Sequence, residues 1–111
     1  MNYEKEKKLA EARAKVIKAL GHPTRIFMVE ILSKESLSVS ELTKAVGVDV
    51  STVSKHLSLL KQAGILVDKK DGNKAIYSLV CPCIMEFINC IDTVIYQEAE
   101  KGMSCLLPKG K

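Results

Sequence analysis

Between Ser38 and Val80 the apolar residues switch from a helical to a β period, and the residues at each switch say where one element must stop and the next begin. Ser38-Val39-Ser40-Glu41 has the Ser-x-x-Glu spacing of a capping box: the serine caps the backbone and the glutamate three residues on reciprocates. It opens a short helix, Val39 to Val46, which Gly47 stops. Gly47-Val48-Asp49-Val50 is then a tight turn, with Asp49, Val50 or Ser51 as cap of a second helix that runs to Gly64. Beyond Gly64, the β-prone runs Ile65–Lys70 and Ala75–Val80 are joined by Asp71-Gly72-Asn73-Lys74, a strong hairpin signal. A short helix, a tight turn, a second helix and a hairpin together predict a winged helix-turn-helix.

The flanks add helices. Leu9, Ala12, Val16 and Leu20 make a thin apolar stripe on a charged helix from about Tyr3 to Leu20, suited to packing against a second subunit. Gly21-His22-Pro23 ends that helix and starts a strongly apolar one that closes near Ser33, with His22 expected to be a structural neighbour of the cap. Ile84 to about Glu100 is a helix whose apolar stripe, Ile84, Phe87, Ile88, Ile91, Val94 and Ile95, is too broad for one small domain to bury easily. The expected order is helix-helix-helix-helix-β-β-helix, mostly α with a small β-hairpin wing and dimeric, as one domain over 1–101 with a flexible tail over 102–111. No apolar run is long enough for a membrane span and no signal-peptide core follows the charged N-terminus, so the expectation is a cytoplasmic protein without a membrane partner.

The second helix of the pair has two faces. Val53, Leu57, Leu60 and Ala63 recur at helical spacing and want a core, while Ser51, Thr52, Ser54, Lys55, Ser58 and Lys61 fill the other side, and no acid falls between Val50 and Val67. Small hydroxyls and lysines suit the floor of a major groove and its phosphates. The net charge is only +4, but Lys44, Lys55, Lys61, Lys69, Lys70 and Lys74 stand against Asp49, Asp68 and Asp71 in this stretch. The wing tip carries Lys69, Lys70 and Lys74 where a DNA backbone would pass, and His56 is open between a phosphate contact and simple packing. These residues, His56 included, are the candidate contacts to a double-stranded DNA operator. The competing class is a winged-helix protein-interaction module whose lysines merely solvate. An enzyme is not expected, because no acid, base and nucleophile constellation is present.

Three blocks carry a family resemblance: Leu20-Gly21-His22-Pro23-Thr24-Arg25-Ile26, Ser54 through Leu66, and the wing from Lys69 through Asp71-Gly72 to Tyr77-Ser78-Leu79. Together they resemble the ArsR family of small winged-helix repressors over nearly the whole chain. The resemblance implies a homodimer joined through the first and last helices, operator binding in adjacent major grooves, and release when an inducer binds. Two sensor sites that the resemblance would suggest are absent. The helix before the recognition helix, Ser40 to Val46, has no cysteine, and no histidine follows His56.

Sensing then rests on the cysteines Cys81, Cys83, Cys90 and Cys105, all in the last third of the chain. Cys81-Pro82-Cys83 stands where the wing ends and the last helix begins, with two thiols close enough to chelate one ion, and a helix N-terminus favours thiolate. Cys90 lies seven residues beyond Cys83, roughly 10.5 Å along a regular helix, too far for one ion to bridge. Either Cys83 folds back, or Cys90 comes from the partner subunit. The leading expectation is a three-sulfur site of Cys81 and Cys83 with Cys90, or with Cys105, for a soft inducer ion such as trivalent arsenic, cadmium or mercury, with no obligatory cofactor. The alternative is oxidation or persulfidation of the same thiols, which needs no third ligand. Cys90 as a core residue and Cys105 as a tail accident complete the range.

Overall fold

In a computed structural model, residues 2–103 are described, and they fall into two units, one up to Cys81 and one from Pro82 onward. The first unit is a helical core with a small sheet. Helix α1 (Glu4–Leu20) is followed by α2 (Pro23–Lys34), strand β1 (Leu37–Ser38), α3 (Val39–Val46), α4 (Val50–Gln62), β2 (Leu66–Asp71) and β3 (Lys74–Leu79). The second unit is α5 (Ile84–Glu98), which continues as a π turn, Ala99–Met103. The expected tail therefore loses Gly102 and Met103 to helical backbone, and the rest of it lies outside the described residues.

Local chemistry explains the boundaries. Ser38 Oγ accepts from the Glu41 amide at 3.2 Å while Glu41 Oε1 accepts from the Ser38 amide at 2.9 Å, the reciprocal box the spacing predicts. Gly47 closes α3 at φ +83, a left-handed conformation that a Cβ would disfavour. Asp49 caps α4 by accepting from the Thr52 amide at 3.2 Å. Gly72, first of the two residues between β2 and β3, has φ +64, while among the described residues none other than glycine has positive φ, so the turn follows the II′ rather than the I′ pattern.

The sheet has the order β1-β3-β2, antiparallel throughout, with Leu66 opposite Leu79 and Asp71 opposite Lys74. Strand β1 is an addition to the expected hairpin: two residues, Leu37 and Ser38, pair with Tyr77 and Ile76. Two residues cannot express an alternating pattern, and Ser38 also serves as the α3 cap, so the pairing emerges only once the wing folds back. It ties the entry of α3 to the wing. Met28, Val29, Leu42, Val53 and Leu60 are fully buried, with Leu20, Leu32, Leu57, Ile65 and Leu66 nearly so. These come from α1, α2, α3, α4 and the start of the wing, so a single core fixes the helix-turn-helix against its wing.

Candidate nucleic-acid interface and thiol site

Helix α4 has two faces. Val53, His56, Leu57 and Leu60 are buried, and Ser51, Ser54, Lys55 and Ser58 are exposed at spacings that place them on the opposite side. Ser54, Lys55 and Ser58, with Leu59, line an open surface groove of about 400 Å³. Lys69, Lys70 and Lys74 are all exposed at the wing tip. Hydroxyls, a lysine and a second cluster of lysines on one unit offer short donors to base edges and positive charge to phosphates.

Three of the expected contacts have other duties. Ser51 Oγ donates to Asp49 Oδ2 at 2.5 Å and Thr52 Oγ1 to Asp49 Oδ1 at 2.7 Å, so both hydroxyl protons are committed to the α4 cap. These bonds, Ser51 first, hold the Asp49 carboxyl at a pKa of about 2, so it stays charged at the positive end of the helix dipole. Lys61 Nζ lies 2.6 Å from Asp68 Oδ1, joining the last turn of α4 to β2. That hydrogen bond and charge raise the lysine pKa and lower the aspartate's, which leaves Lys61 partly neutralised as a phosphate contact.

His56 departs from the groove-facing set altogether. Its side chain is only 9% exposed and turns into the core, where its Nδ1 lies 3.2 Å from Arg25 Nη1 and its ring centroid 4.6 Å from that of His22. The physical reason was present in the spacing, since His56 follows Val53 by three and precedes Leu60 by four and so shares their stripe. Burial first, then His22 and Arg25, push its pKa below the ordinary histidine value. His22 is the α2 cap itself, its Nδ1 accepting from the Thr24 amide at 3.1 Å. Arg25 donates from Nε to the Ala19 carbonyl at 2.5 Å and from Nη1 to His56.

Cys81 and Cys83 are both disulfide-bonded, while Cys90 is a free, exposed thiol. Cys83 is the N-cap of α5 with helical dihedrals, φ −65 and ψ −10, so it does not fold back. Cys90 stands seven residues further along the same helix, roughly 10.5 Å away by the helical rise. Among the described residues no group of three His, Cys, Asp or Glu side chains could hold a metal ion. Cys105 lies outside them. In the oxidised state Cys81 and Cys83 offer no thiolate, so a soft ion would fit only the reduced pair with a further sulfur donor from outside this arrangement.

Helix α5 buries no residue: Phe87, Ile91, Val94 and Ile95 are all at least 40% exposed. On α1 only Leu20 is buried, with Leu9 49% and Ile17 52% exposed. No helix among the described residues is long and apolar enough to cross a membrane.

These elements define a winged helix-turn-helix regulator, with α3 and α4 as the helix pair and β2–β3 as the wing. Residues 22–68 match the family described as bacterial regulatory protein, arsR family. The chain is 38% identical over 81 residues to the uncharacterised HTH-type transcriptional regulator Rv0081 of Mycobacterium tuberculosis, covering 72% of this chain and 71% of that one. The crystal structure of M. tuberculosis Rv0081 superposes with a TM-score of 0.74 at 34% identity, over 84% of this chain and 94% of that chain. The biofilm growth-associated repressor of Xylella fastidiosa is 29% identical over 102 residues, 92% of this chain and 90% of that one. The chain belongs to the ArsR family of transcriptional regulators.

Proposed function

We propose that this protein is a homodimeric repressor that binds an operator through α4 and the wing and is switched by oxidation of the Cys81/Cys83 dithiol. The observation that carries DNA binding is the division of α4, in which Val53, Leu57 and Leu60 anchor the helix while Ser54, Lys55 and Ser58 face outward beside the lysine-tipped wing. Unburied apolar faces on α1 and α5 support self-association through the first and last helices. Duplexes selected from a random pool, titrated by fluorescence anisotropy at two salt concentrations, test the reading. Binding should weaken steeply with salt, and Ser54→Ala with Lys55→Ala should abolish selectivity. Unaltered selective binding by that double variant would favour a protein-interaction module.

For the switch, the disulfide state of Cys81 and Cys83 supports redox over metal sensing. Two thiols join through one S–S bond, with two protons released and two electrons passed to a peroxide or sulfane-sulfur oxidant. Placed at the entry to α5, the change would act on the proposed dimerisation helix rather than on the groove-facing side chains of α4. Reduced protein on its selected duplex is exposed in parallel to peroxide, a persulfide donor, arsenite, cadmium and mercury. Release by the oxidants, lost in Cys81→Ser and Cys83→Ser, is the expected result; release by the ions alone would return the site to soft-metal sensing with Cys90 or Cys105 as third ligand.

A further inference from the structure

The side chain of Arg25 reaches three helices at once. It sits in the first turn of α2, its Nε–H donates to the Ala19 carbonyl in the last turn of α1, and its Nη1 donates to Nδ1 of His56 in the middle of α4. Arginine has no acceptor, so Nδ1 of His56 must be the lone-pair nitrogen, with any ring proton on Nε2. His22 is constrained in the same way, because its Nδ1 accepts from the Thr24 amide while its ring lies 4.6 Å from that of His56. Two imidazoles and a guanidinium are thus packed together in an arrangement that has room for one positive charge, the arginine's.

Among the described residues, no carboxylate is among the groups that shift the His56 pKa. Lys15 and Lys18 of α1 line the same cleft as Arg25, about 410 Å³ in volume, and add further positive charge. Glu41 is engaged in the α3 capping box, Asp49 in the α4 cap and Asp68 with Lys61, while Glu4, Glu6 and Glu11 of α1 and Asp71 of β2 are exposed. Glu30 of α2 is exposed. A proton placed on Nδ1 of His56 would point at an arginine N–H and repel its charge.

We propose that Arg25 and His56 are a positioning pair that sets the recognition helix against α1 and α2 at its operator-binding angle, and that acid releases this hold. The inference rests on the operator-binding reading of α4. Its sign is what separates it from a simple DNA contact. A histidine on a phosphate strengthens binding when it gains a proton, whereas this pair weakens binding because protonation breaks the bond that holds the helix. The depressed pKa of His56, caused by burial and by His22 and Arg25, places the change on the acid side of neutrality.

The experiment measures affinity for the selected duplex from about pH 7.5 to about pH 5.5 at fixed ionic strength, alongside long-range ¹H–¹⁵N correlation spectra of the imidazoles. Wild-type affinity should fall about two-fold or more with acid. His56→Asn places its Oδ1 where Nδ1 accepts from Arg25 and does not titrate, so it should lose the acid dependence. Arg25→Lys keeps the charge but cannot span both acceptors, and should resemble Arg25→Met in losing neutral-pH affinity. His22→Asn, which preserves an N-cap acceptor, isolates the contribution of His22. The spectra should report unprotonated Nδ1 on His56 at neutral pH and a midpoint that moves toward the ordinary value in Arg25→Met. Affinity that is flat or rises with acid, the same acid loss in His56→Asn, or a protonated Nδ1 at neutral pH would each overturn the proposal. If circular dichroism finds the Arg25 variants unfolded, His56→Asn and the wild-type spectra decide. If no duplex is bound under any condition the operator reading fails, while the spectra still judge the pair.

Discussion

Helices α4 and α5 are of similar length, 13 and 15 residues, and both are amphipathic, yet they end in opposite situations. Helix α4 buries Val53, His56, Leu57 and Leu60, while the more apolar α5 buries nothing. Apolarity alone therefore did not decide burial. Helix α4 has its partners in its own core, and α5 presents Phe87, Ile91, Val94 and Ile95 as a face that still wants one. The polar outer face of α4 is a finished surface; the apolar face of α5 is an unfinished interior.

Four experiments probe that contrast, beginning where the effect should be largest. Leu60→Ala removes a fully buried side chain from α4 and should destabilise the fold by about 2–5 kcal/mol, measured by urea denaturation. A loss of under about 1 kcal/mol would mean that α4 is less firmly anchored than its burial suggests. On α5, Phe87→Ser with Ile91→Ser should weaken self-association at least about ten-fold in sedimentation velocity, since interface anchors of this kind dominate binding. An unchanged dimer would move the interface elsewhere.

The third concerns the start of α4. Asp49 has a pKa of about 2 because Ser51 and Thr52 donate to it, below the ordinary aspartate value of 3.8. Its contribution to stability is thus full above 3.8 and disappears as the pH falls toward 2. Asp49→Ala should lower the melting temperature at neutral pH and flatten this acid branch; a parallel acid branch in the variant would assign it to other carboxylates. The smallest effect should be that of Lys61→Ala on DNA binding, within about two-fold, because Asp68 already holds that lysine, against about ten-fold for Lys55→Ala. Equal losses would show that the ion pair opens on DNA.

What could be read before folding was whatever local chemistry dictates. The Ser38/Glu41 box, the Gly47 stop, the Asp49 cap and the Asp71-Gly72 turn are each specified within four residues, and the helix-turn-helix and wing follow from them. The outward face of α4 was legible as well, because small hydroxyls and lysines at helical spacing need no distant partner to be recognised.

The interior of the candidate site was not legible in the same way. The stripe from Val53 to Leu60 contains His56, but only the packed core brings Arg25, thirty-one residues earlier, within 3.2 Å and gives the imidazole a partner that makes burial tolerable. The duties of Ser51, Thr52 and Lys61 likewise became apparent only when Asp49 and Asp68 were in place. Strand β1 exists because β3 folds back beside Leu37 and Ser38. Sequence by itself determined the order of elements and the surface they show, since caps, turns and periodicity act over a few residues. Tertiary structure alone decided what the inward-facing polar groups hold, because a buried hydrogen bond forms only between groups that the whole fold has brought together.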